Sequence, residues 1–366
     1  MADTAERVEI EPAIWREPAR GGHLDPRLFG LPGVEQLRSF FRGLGLPPPL
    51  AHLTGMFITE VEPGAVTFTM PASEWLLSPV GYIQLGVQAM LADASLGCTV
   101  QTALPPATPY TTSDLSISFL RPVVADGKDL VARGRLIHAG RRLALSDVEI
   151  FDGTERLVAH GTSRCFVLDQ INPVPDASEV APVEIPVYDT SDPYLRPVAG
   201  APLTQDVWDR MTGLEVMQAF ITGELPAPPI SHLTGLLPTD VSEGSVTFVL
   251  PTSPWLTSPI GTVQGGATAL LAETVLATAV QTTVPKRTAY VPLDLKVNFL
   301  RPVFADGRDL VGRGTVVHRG KTLAVASAEI RNADGKKVAV AAGTALIREG
   351  RPWQGGEPIG QPEPSA

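Results

Sequence analysis

The 366-residue chain contains few cysteines and has no excess of positive charge. Its two cysteines, Cys98 and Cys165, lie in apolar segments without a CxxC partner, which argues against a zinc site or a disulfide framework. A formal net charge of -10 disfavours a nucleic-acid backbone as the main partner, because phosphate binding needs a concentrated basic face. The sequence also lacks HExxH and Gly-x-Ser-x-Gly motifs, so it gives no support to a metal-dependent hydrolase or a serine hydrolase.

Long apolar runs are missing as well. No uninterrupted apolar segment approaches the ~18–20 residues that a membrane-spanning helix needs. The first residues lack the basic and apolar regions of a signal peptide. Apolar residues make up 44% of the chain and charged residues 19%, which is typical of globular proteins. We therefore expect a soluble, cytoplasmic protein without a membrane span.

The sequence does contain a long internal repeat. When the chain is shifted by 180 residues, 52–55 (HLTG) matches 232–235, and 119–123 (FLRPV) matches 299–303. The match covers most of both halves, with an apparent two-residue slip near Asp152 and Asp334. A long period with only two copies indicates two globular domains rather than a solenoid.

The segments outside the repeat have a different composition. Residues 169 to about 205 are rich in proline and acidic residues, as linkers are, and both ends of the chain are rich in Gly and Pro. The predicted organisation is a mobile N-terminal segment (1–32), a first domain (33–168), a Pro-rich linker (169–212), a second domain (213–349) and a mobile tail (350–366).

Each repeat has the same predicted order of elements. A short amphipathic helix is followed by two strands with alternating apolar residues, one apolar helix and four further strands. The apolar helix is predicted from about Leu85 to Ala103 in the first copy and from about Gly266 to Val284 in the second. Since these helices are apolar nearly all round, they should be buried against an antiparallel sheet, which gives an α+β fold.

Each apolar helix carries one acidic residue, Asp93 or Glu273, and no other charge. A lone buried carboxylate is costly and tends to have a raised pKa, so it is a candidate functional group. The second helix begins with Gly265 and Gly266, whose exposed N–H groups lie at the positive end of the helix dipole. Such donors are suited to stabilise an oxyanion.

The combined pattern resembles a known family. Gln264-Gly265-Gly266, followed by Glu273 nine residues after Gln264, is similar to the G-x-x-H-G-G motif and distal acid of acyl-CoA thioesterases of the 4-hydroxybenzoyl-CoA and phenylacetate-pathway type. Gln84 and Asp93 keep this spacing in the first copy, where Leu85 replaces the first glycine. The resemblance implies two hotdog domains in tandem, forming an intrachain pseudo-dimer of antiparallel sheets wrapped round central helices.

The resemblance also implies roles for individual residues. The acid acts as general base or nucleophile, and the first glycine of the pair donates its N–H to the thioester oxygen across the domain interface. One composite site would combine the catalytic residues Asp93, Thr112 and Gly265 with Gln264, Gly266 and Ser258 around the substrate. The reverse site would combine Glu273 and Pro292 with Gln84, Leu85 and Ser78. We expect the Asp93 site to be the more active, because Leu85 crowds the other and Pro292 has no hydroxyl.

The predicted function is hydrolysis of an acyl-CoA thioester without a metal or cofactor. A non-catalytic acyl-CoA-binding protein is an alternative, because both copies lack the usual His. An acyl-CoA hydratase or dehydratase is a weaker one, because Cys98 and Thr278 stand where those enzymes have His. Turn residues Arg141, Arg142, Arg319 and Lys321 are candidates for binding CoA phosphates. A homodimer of double-hotdog chains is left open.

Overall fold

The computed structural model describes residues 9–350. Residues 1–8 of the predicted N-terminal segment, and all of the predicted tail except Gly350, lie outside this range. None of the helices within 9–350 combines the length and apolar character needed to cross a bilayer.

The two repeats form matching series of elements. The first repeat contains α1 (Gly33–Phe41), α2 (Pro49–Thr54), β1 (Phe57–Glu62), β2 (Ala65–Pro71), α3 (Leu85–Gln101), β3 (Tyr110–Phe119), β4 (Asp129–Ala139), β5 (Leu143–Phe151) and β6 (Leu157–Val167). Helix α4 (Gln205–Arg210) lies in the linker. The second repeat contains α5 (Gly213–Thr222), α6 (Pro229–Thr234), β7 (Leu237–Ser242), β8 (Ser245–Pro251), α7 (Gly265–Gln281), β9 (Ala289–Pro292), β10 (Asp294–Phe299), β11 (Asp309–Arg319), β12 (Leu323–Arg331) and β13 (Lys337–Arg348).

All the strands join in one antiparallel sheet. The strand order is β1-β2-β4-β5-β6-β3-β10-β13-β12-β11-β8-β7. The short strand β9 also pairs with β13 but is not included in this order. The two repeats meet where β3 pairs with β10, with Leu115 opposite Val297 and Ile117 opposite Leu295. This junction covers the edge strand that each half would otherwise expose. The predicted α+β fold of two tandem hotdog domains in an intrachain pair is confirmed.

The two central helices lie inside this curved sheet and pack on each other. Gly86 of α3 lies against Leu270 of α7, and Gly266 of α7 lies against Met90 of α3, so the helices run in opposite directions. The strands show the alternation expected for one buried face; in β2, for example, Val66, Phe68 and Met70 point inward. The shared core therefore brings the N-terminal end of each helix next to the acidic residue of the other.

The halves share the same strand order but differ in the continuity of one strand. β3 is continuous in the first repeat, whereas the second repeat has β9 and β10 separated at Leu293. The register of β3 also shifts at the equivalent place, between Thr112 and Asp114, so the break at Leu293 corresponds to a bulge in the first repeat. The Leu293 N–H still donates to β13, at 2.8 Å from the Thr344 carbonyl.

The segments before each repeat are packed rather than loose. In residues 9–32, Ile14 and Leu28 are fully buried, and the Trp255 indole N–H donates to the Glu17 carbonyl at 2.9 Å. In the linker, the Arg196 carbonyl accepts a matching 2.9 Å bond from Trp75. Each segment thus crosses onto the opposite repeat. The described part of the N-terminal segment belongs to the folded body, contrary to the mobility expected from its Gly and Pro content.

The repeat runs through the turn after β5 without the predicted slip. Asp152 Oδ1 accepts the Arg156 N–H at 3.1 Å, and Asn332 Oδ1 accepts the Lys336 N–H at 2.9 Å. Asp152 is therefore equivalent to Asn332, at an offset of 180, rather than to Asp334. Both side chains form the same turn, because either can accept the backbone bond.

Candidate functional site

Both repeats keep the second glycine of the helix motif, Gly86 in α3 and Gly266 in α7. An added Cβ on Gly86 would lie 2.7 Å from the Leu270 Cα, and one on Gly266 would lie 2.6 Å from the Met90 Cα. Both distances are too short for real carbon atoms, so only glycine permits this approach of α3 and α7. The presence of glycine at both positions is the sequence signal for this packing role. From the motif alone, we predicted only that the glycines contact a ligand.

Glu273 is held by the start of α3. Its Oε2 accepts 2.7 Å and 3.2 Å hydrogen bonds from the Gln84 side-chain amide and the Gly86 N–H. The Oε1 atom accepts no hydrogen bond from any residue within 9–350. The side chain is only 3% exposed, and burial raises its pKa to about 7, although the bonds from Gln84 and Gly86 favour the charged form.

Asp93 occupies the pseudo-symmetric position. Its Oδ2 accepts a 2.8 Å bond from the Gly266 N–H, and the Gln264 side chain also favours the charged form of the carboxylate. Burial raises the pKa of Asp93 to about 6, against the opposing effects of Gly266 and Gln264. Each acid therefore contacts the opposite repeat, as the composite sites require. The geometry brings Asp93 together with Gln264, Gly265 and Gly266, and Glu273 with Gln84 and Leu85.

The two acids differ in length, and the facing residues differ accordingly. A Cβ on Gly265 would lie 3.1 Å from Asp93 Oδ2, a tight contact. The equivalent residue opposite the longer Glu273 is Leu85, which the structure accommodates. The shorter acid, Asp93, therefore faces the smaller residue, Gly265, whereas the longer acid, Glu273, faces Leu85.

A cavity of about 420 Å³ lies at the Glu273 site. Its lining combines both repeats, with Gln84 and Leu85 from the start of α3 and Glu273 from α7. Asp93 does not line this cavity. Apolar side chains of α5 and α6 form much of the wall, including Met217, Phe220 and Ile230. This volume is within the range of small-ligand pockets and places a buried carboxyl group at its surface.

The predicted serine and threonine residues have other contacts. The Ser78 hydroxyl lies at the cavity but donates to the Tyr82 carbonyl at 2.9 Å, while Ser258 lies 3.2 Å from the Thr262 hydroxyl. Thr112 lies 4.0 Å from the Cys165 sulfur, and within the described chain it makes no hydrogen bond to Asp93. Pro292 lines the cavity beside Glu273. No orienting hydroxyl is therefore bonded to either acid from these positions.

The cationic residues at the cavity are not those suggested by the turns. Arg142 pairs with Asp169 at 2.8 Å, and Arg319 lies 3.8 Å from Glu349. Arg121 and Arg348 line the cavity instead. Arg348 ends β13, and sequence reasoning missed it because the pairing of β13 with β9 brings it to the site.

Sequence reasoning also missed Thr278, Gln281 and Tyr290 as lining residues. Thr274, Thr278 and Gln281 follow an i, i+4, i+7 spacing that would have placed them on one face of α7. Because the rest of the helix is mostly apolar, this row of polar residues was the sequence signal that could have indicated a ligand-facing surface.

Comparisons with known proteins agree with this architecture. The thioesterase superfamily profile matches residues 81–159 and 260–339. A Vibrio cholerae protein named as an esterase is 29% identical over 150 residues, covering 40% of this chain and 94% of that protein.

Two solved structures cover most of the chain. The tesB protein of Mycobacterium avium subspecies paratuberculosis superposes with a TM-score of 0.51 at 15% identity, covering 82% of this chain and 97% of that one. A protein of unknown function with a hot dog fold from Alicyclobacillus acidocaldarius superposes with a TM-score of 0.50 at 12% identity, with coverages of 82% and 97%. At these identities the two structures support the fold alone.

Proposed function

Since both repeats of this chain belong to the thioesterase superfamily, we propose that it hydrolyses acyl-CoA thioesters at the Glu273 site. One observation carries this assignment. Glu273 is a buried carboxyl group with one oxygen free of hydrogen bonds from the described residues, and it lies at the surface of the 420 Å³ cavity. This arrangement gives a base both a substrate space and an unused lone pair.

The Leu85 N–H is our candidate for the group that polarises the thioester. Leu85 is the first residue of α3, so its N–H has no partner inside the helix, and it donates to no other residue within 9–350. It lies at the positive end of the helix and lines the cavity. A thioester carbonyl oxygen bound there would gain negative charge during attack and would be stabilised by this donor.

Glu273 would then act as the general base. Gln84 and Gly86 hold Oε2, which leaves Oε1 to take a proton from water as the water oxygen attacks the thioester carbon. Collapse of the tetrahedral intermediate breaks the C–S bond and releases the acid and the CoA thiolate, which takes up a proton. A raised pKa suits this role, because the carboxylate is a stronger base than an exposed one.

This proposal reverses the preference drawn from the motif alone, which favoured the Asp93 site. Gly-Gly and Thr112 resemble the family pattern more closely, but Asp93 lies outside the cavity lining and Thr112 does not bond to it. We assign Asp93 a structural role instead, as the residue that links α3 to the Gly266 N–H.

The test compares two matched variants, Glu273→Gln and Asp93→Asn, in an assay of CoA thiol release from a panel of acyl-CoAs. Each change removes the charge but keeps a carbonyl oxygen for the existing donors. We expect Glu273→Gln to lower kcat by about 10²–10⁴, the usual contribution of a general base, and Asp93→Asn to change it less than about fivefold. Loss of turnover only in Asp93→Asn would contradict the assignment. Binding of acyl-CoA without thiol release by the unmodified protein would favour the binding-only alternative.

A further inference from the structure

The cavity wall formed by α7 is more polar than the corresponding face of α3 in the first repeat. Thr274, Thr278 and Gln281 all line the cavity. At the matching positions of α3, the first two are replaced by Ala94 and Cys98. From Glu273 to Gln281 the helix rises by about 12 Å, so the polar groups extend well beyond the proposed reaction centre.

Gln281 is the polar residue farthest from Glu273 along this helix. It is 3% exposed, and its Oε1 accepts a 2.7 Å hydrogen bond from the Tyr290 hydroxyl. Its Nε2 atom is buried without a hydrogen-bond partner among residues 9–350. The tyrosine hydroxyl can both donate and accept. If the Gln281 amide were turned by 180°, its Nε2 would donate to this hydroxyl, and its Oε1 would be left unpaired instead. In either orientation one polar end of this amide remains unsatisfied.

The first repeat shows how the Nε2 atom of this glutamine can be satisfied by a protein partner. Gln101, the counterpart of Gln281, donates from Nε2 to Gln36 Oε1 at 3.0 Å. Val216 occupies the position of Gln36 in the second repeat and offers no acceptor. The partner is therefore missing only in the half that contains the cavity. Buried polar groups are rarely left unpaired, so this one calls for an explanation.

Thr278 adds a second polar group on the same wall. Its side chain is 7% exposed, and its hydroxyl makes no hydrogen bond to another residue in the described chain. Thr274 differs, because it donates to the Leu270 carbonyl at 2.9 Å. Two polar groups without protein partners, Thr278 and Gln281, thus lie beyond Glu273 among apolar residues such as Met217 and Phe220.

We propose that this cavity selects extended acyl chains that carry an oxygen, as a hydroxyl or oxo group, far from the thioester. The acyl chain would lie along α7, and its distal oxygen would bond to Gln281 and Thr278. Plain saturated chains would leave both groups unsatisfied. This inference rests on the proposed function, because it takes the thioester carbon to lie at Glu273.

The test compares hexanoyl-, octanoyl- and decanoyl-CoA with their terminal-hydroxy analogues. At the chain length that fits best, we expect kcat/KM to favour the hydroxy form by at least about tenfold, because a site built to bond a hydroxyl discriminates strongly against an analogue without it. Gln281→Leu and Thr278→Val should each reduce this ratio towards one. Gln101→Leu is the matched control in the first repeat and should leave the ratio unchanged.

Val216→Gln provides a second test that leaves Gln281 intact. The new amide would pair with Gln281 as Gln36 pairs with Gln101, and the preference for the hydroxy form should fall while hydrolysis of the plain form persists. A purely structural role for Gln281 predicts no change in the ratio. Equal kcat/KM for plain and hydroxy forms at every length would overturn the proposal.

Binding of non-hydrolysable thioether analogues separates this proposal from the proposed function. Calorimetric titration should show tighter binding of the hydroxy-bearing thioether even if the protein does not hydrolyse thioesters. Tighter binding without turnover would retain the selectivity and refute the catalytic role. Equal binding of both thioethers, or no binding of either, would refute the selectivity.

Discussion

The Gln84 side-chain amide of the first repeat donates a 2.7 Å hydrogen bond to Glu273 Oε2 of the second repeat. This bond crosses the domain interface and ties the charge state of one repeat to a residue of the other. Because it stabilises the charged form, it holds the pKa of Glu273 below the value that burial alone would produce.

Gln84→Ala should therefore move the pH dependence of hydrolysis. Without the bond, the pKa of Glu273 rises above about 7, and a larger share of the base is protonated at neutral pH. The acid limb of the kcat/KM profile, which reports ionisation of the free enzyme, should move to higher pH. At a fixed pH on that limb, activity should fall about tenfold if the pKa of Glu273 rises by one.

Gln264→Ala is the matched control, because Gln264 occupies the pseudo-symmetric position and lowers the pKa of Asp93 rather than that of Glu273. It should leave the acid limb where it is in the unmodified protein. The same displacement in both variants would show that the limb does not report Glu273.

Several features of the site were predictable from the sequence for clear physical reasons. A single acid on each apolar helix, nine residues after a glutamine, predicted that Asp93 and Glu273 would be buried functional candidates. The period of the strands and the repeat predicted two α+β domains with antiparallel sheets, and the resemblance to hotdog thioesterases implied that the two domains pair. These features are local, or repeat at a fixed offset, so a single sequence displays them.

The location of the cavity was not predictable in this way. It depends on side chains from α5, α6, β9 and β13 that meet only in the folded chain. Gln281 illustrates the difficulty, because its unpaired amide results from Val216, a residue 65 positions earlier in the chain. The packing of Ile14 and Trp15 was missed for a related reason, since an irregular segment has no periodicity from which burial can be inferred.

The close approach of α3 and α7 gives a prediction about stability. Gly86→Ala should destabilise the fold by about 1–3 kcal/mol, because the new methyl group would overlap the Leu270 backbone and force the helices apart. Chemical denaturation followed by circular dichroism measures this change. Gly266→Ala should behave in the same way against Met90.

Gly97→Ala is the control within the same helix. An added Cβ there would lie 3.5 Å from the Tyr110 hydroxyl, an ordinary contact, so the higher helix propensity of alanine should stabilise the protein by up to ~1 kcal/mol. Stabilisation by Gly86→Ala would mean that the interhelical contact is looser than these distances require.

The raised pKa of Glu273 also predicts how folding stability changes with pH. The group titrates near its ordinary value of 4.5 in the unfolded chain and at about 7 in the folded protein. Between these values the folded state keeps a proton that the unfolded state has lost, so the free energy of unfolding decreases as the pH rises. Above about 7 both states are ionised, and this contribution no longer changes.

Glu273→Gln cannot ionise and should not show this decrease. Its stability relative to the unmodified protein should therefore increase from pH 4.5 to pH 7, by on the order of 3 kcal/mol if burial persists in full. Urea unfolding at a series of pH values measures the difference. Glu243→Gln, at an exposed position, is the control and should show no such trend. A stability difference for Glu273→Gln that stays constant across this range would mean that Glu273 ionises in the folded protein as readily as in the unfolded chain, and its assignment as a base with a raised pKa would fail.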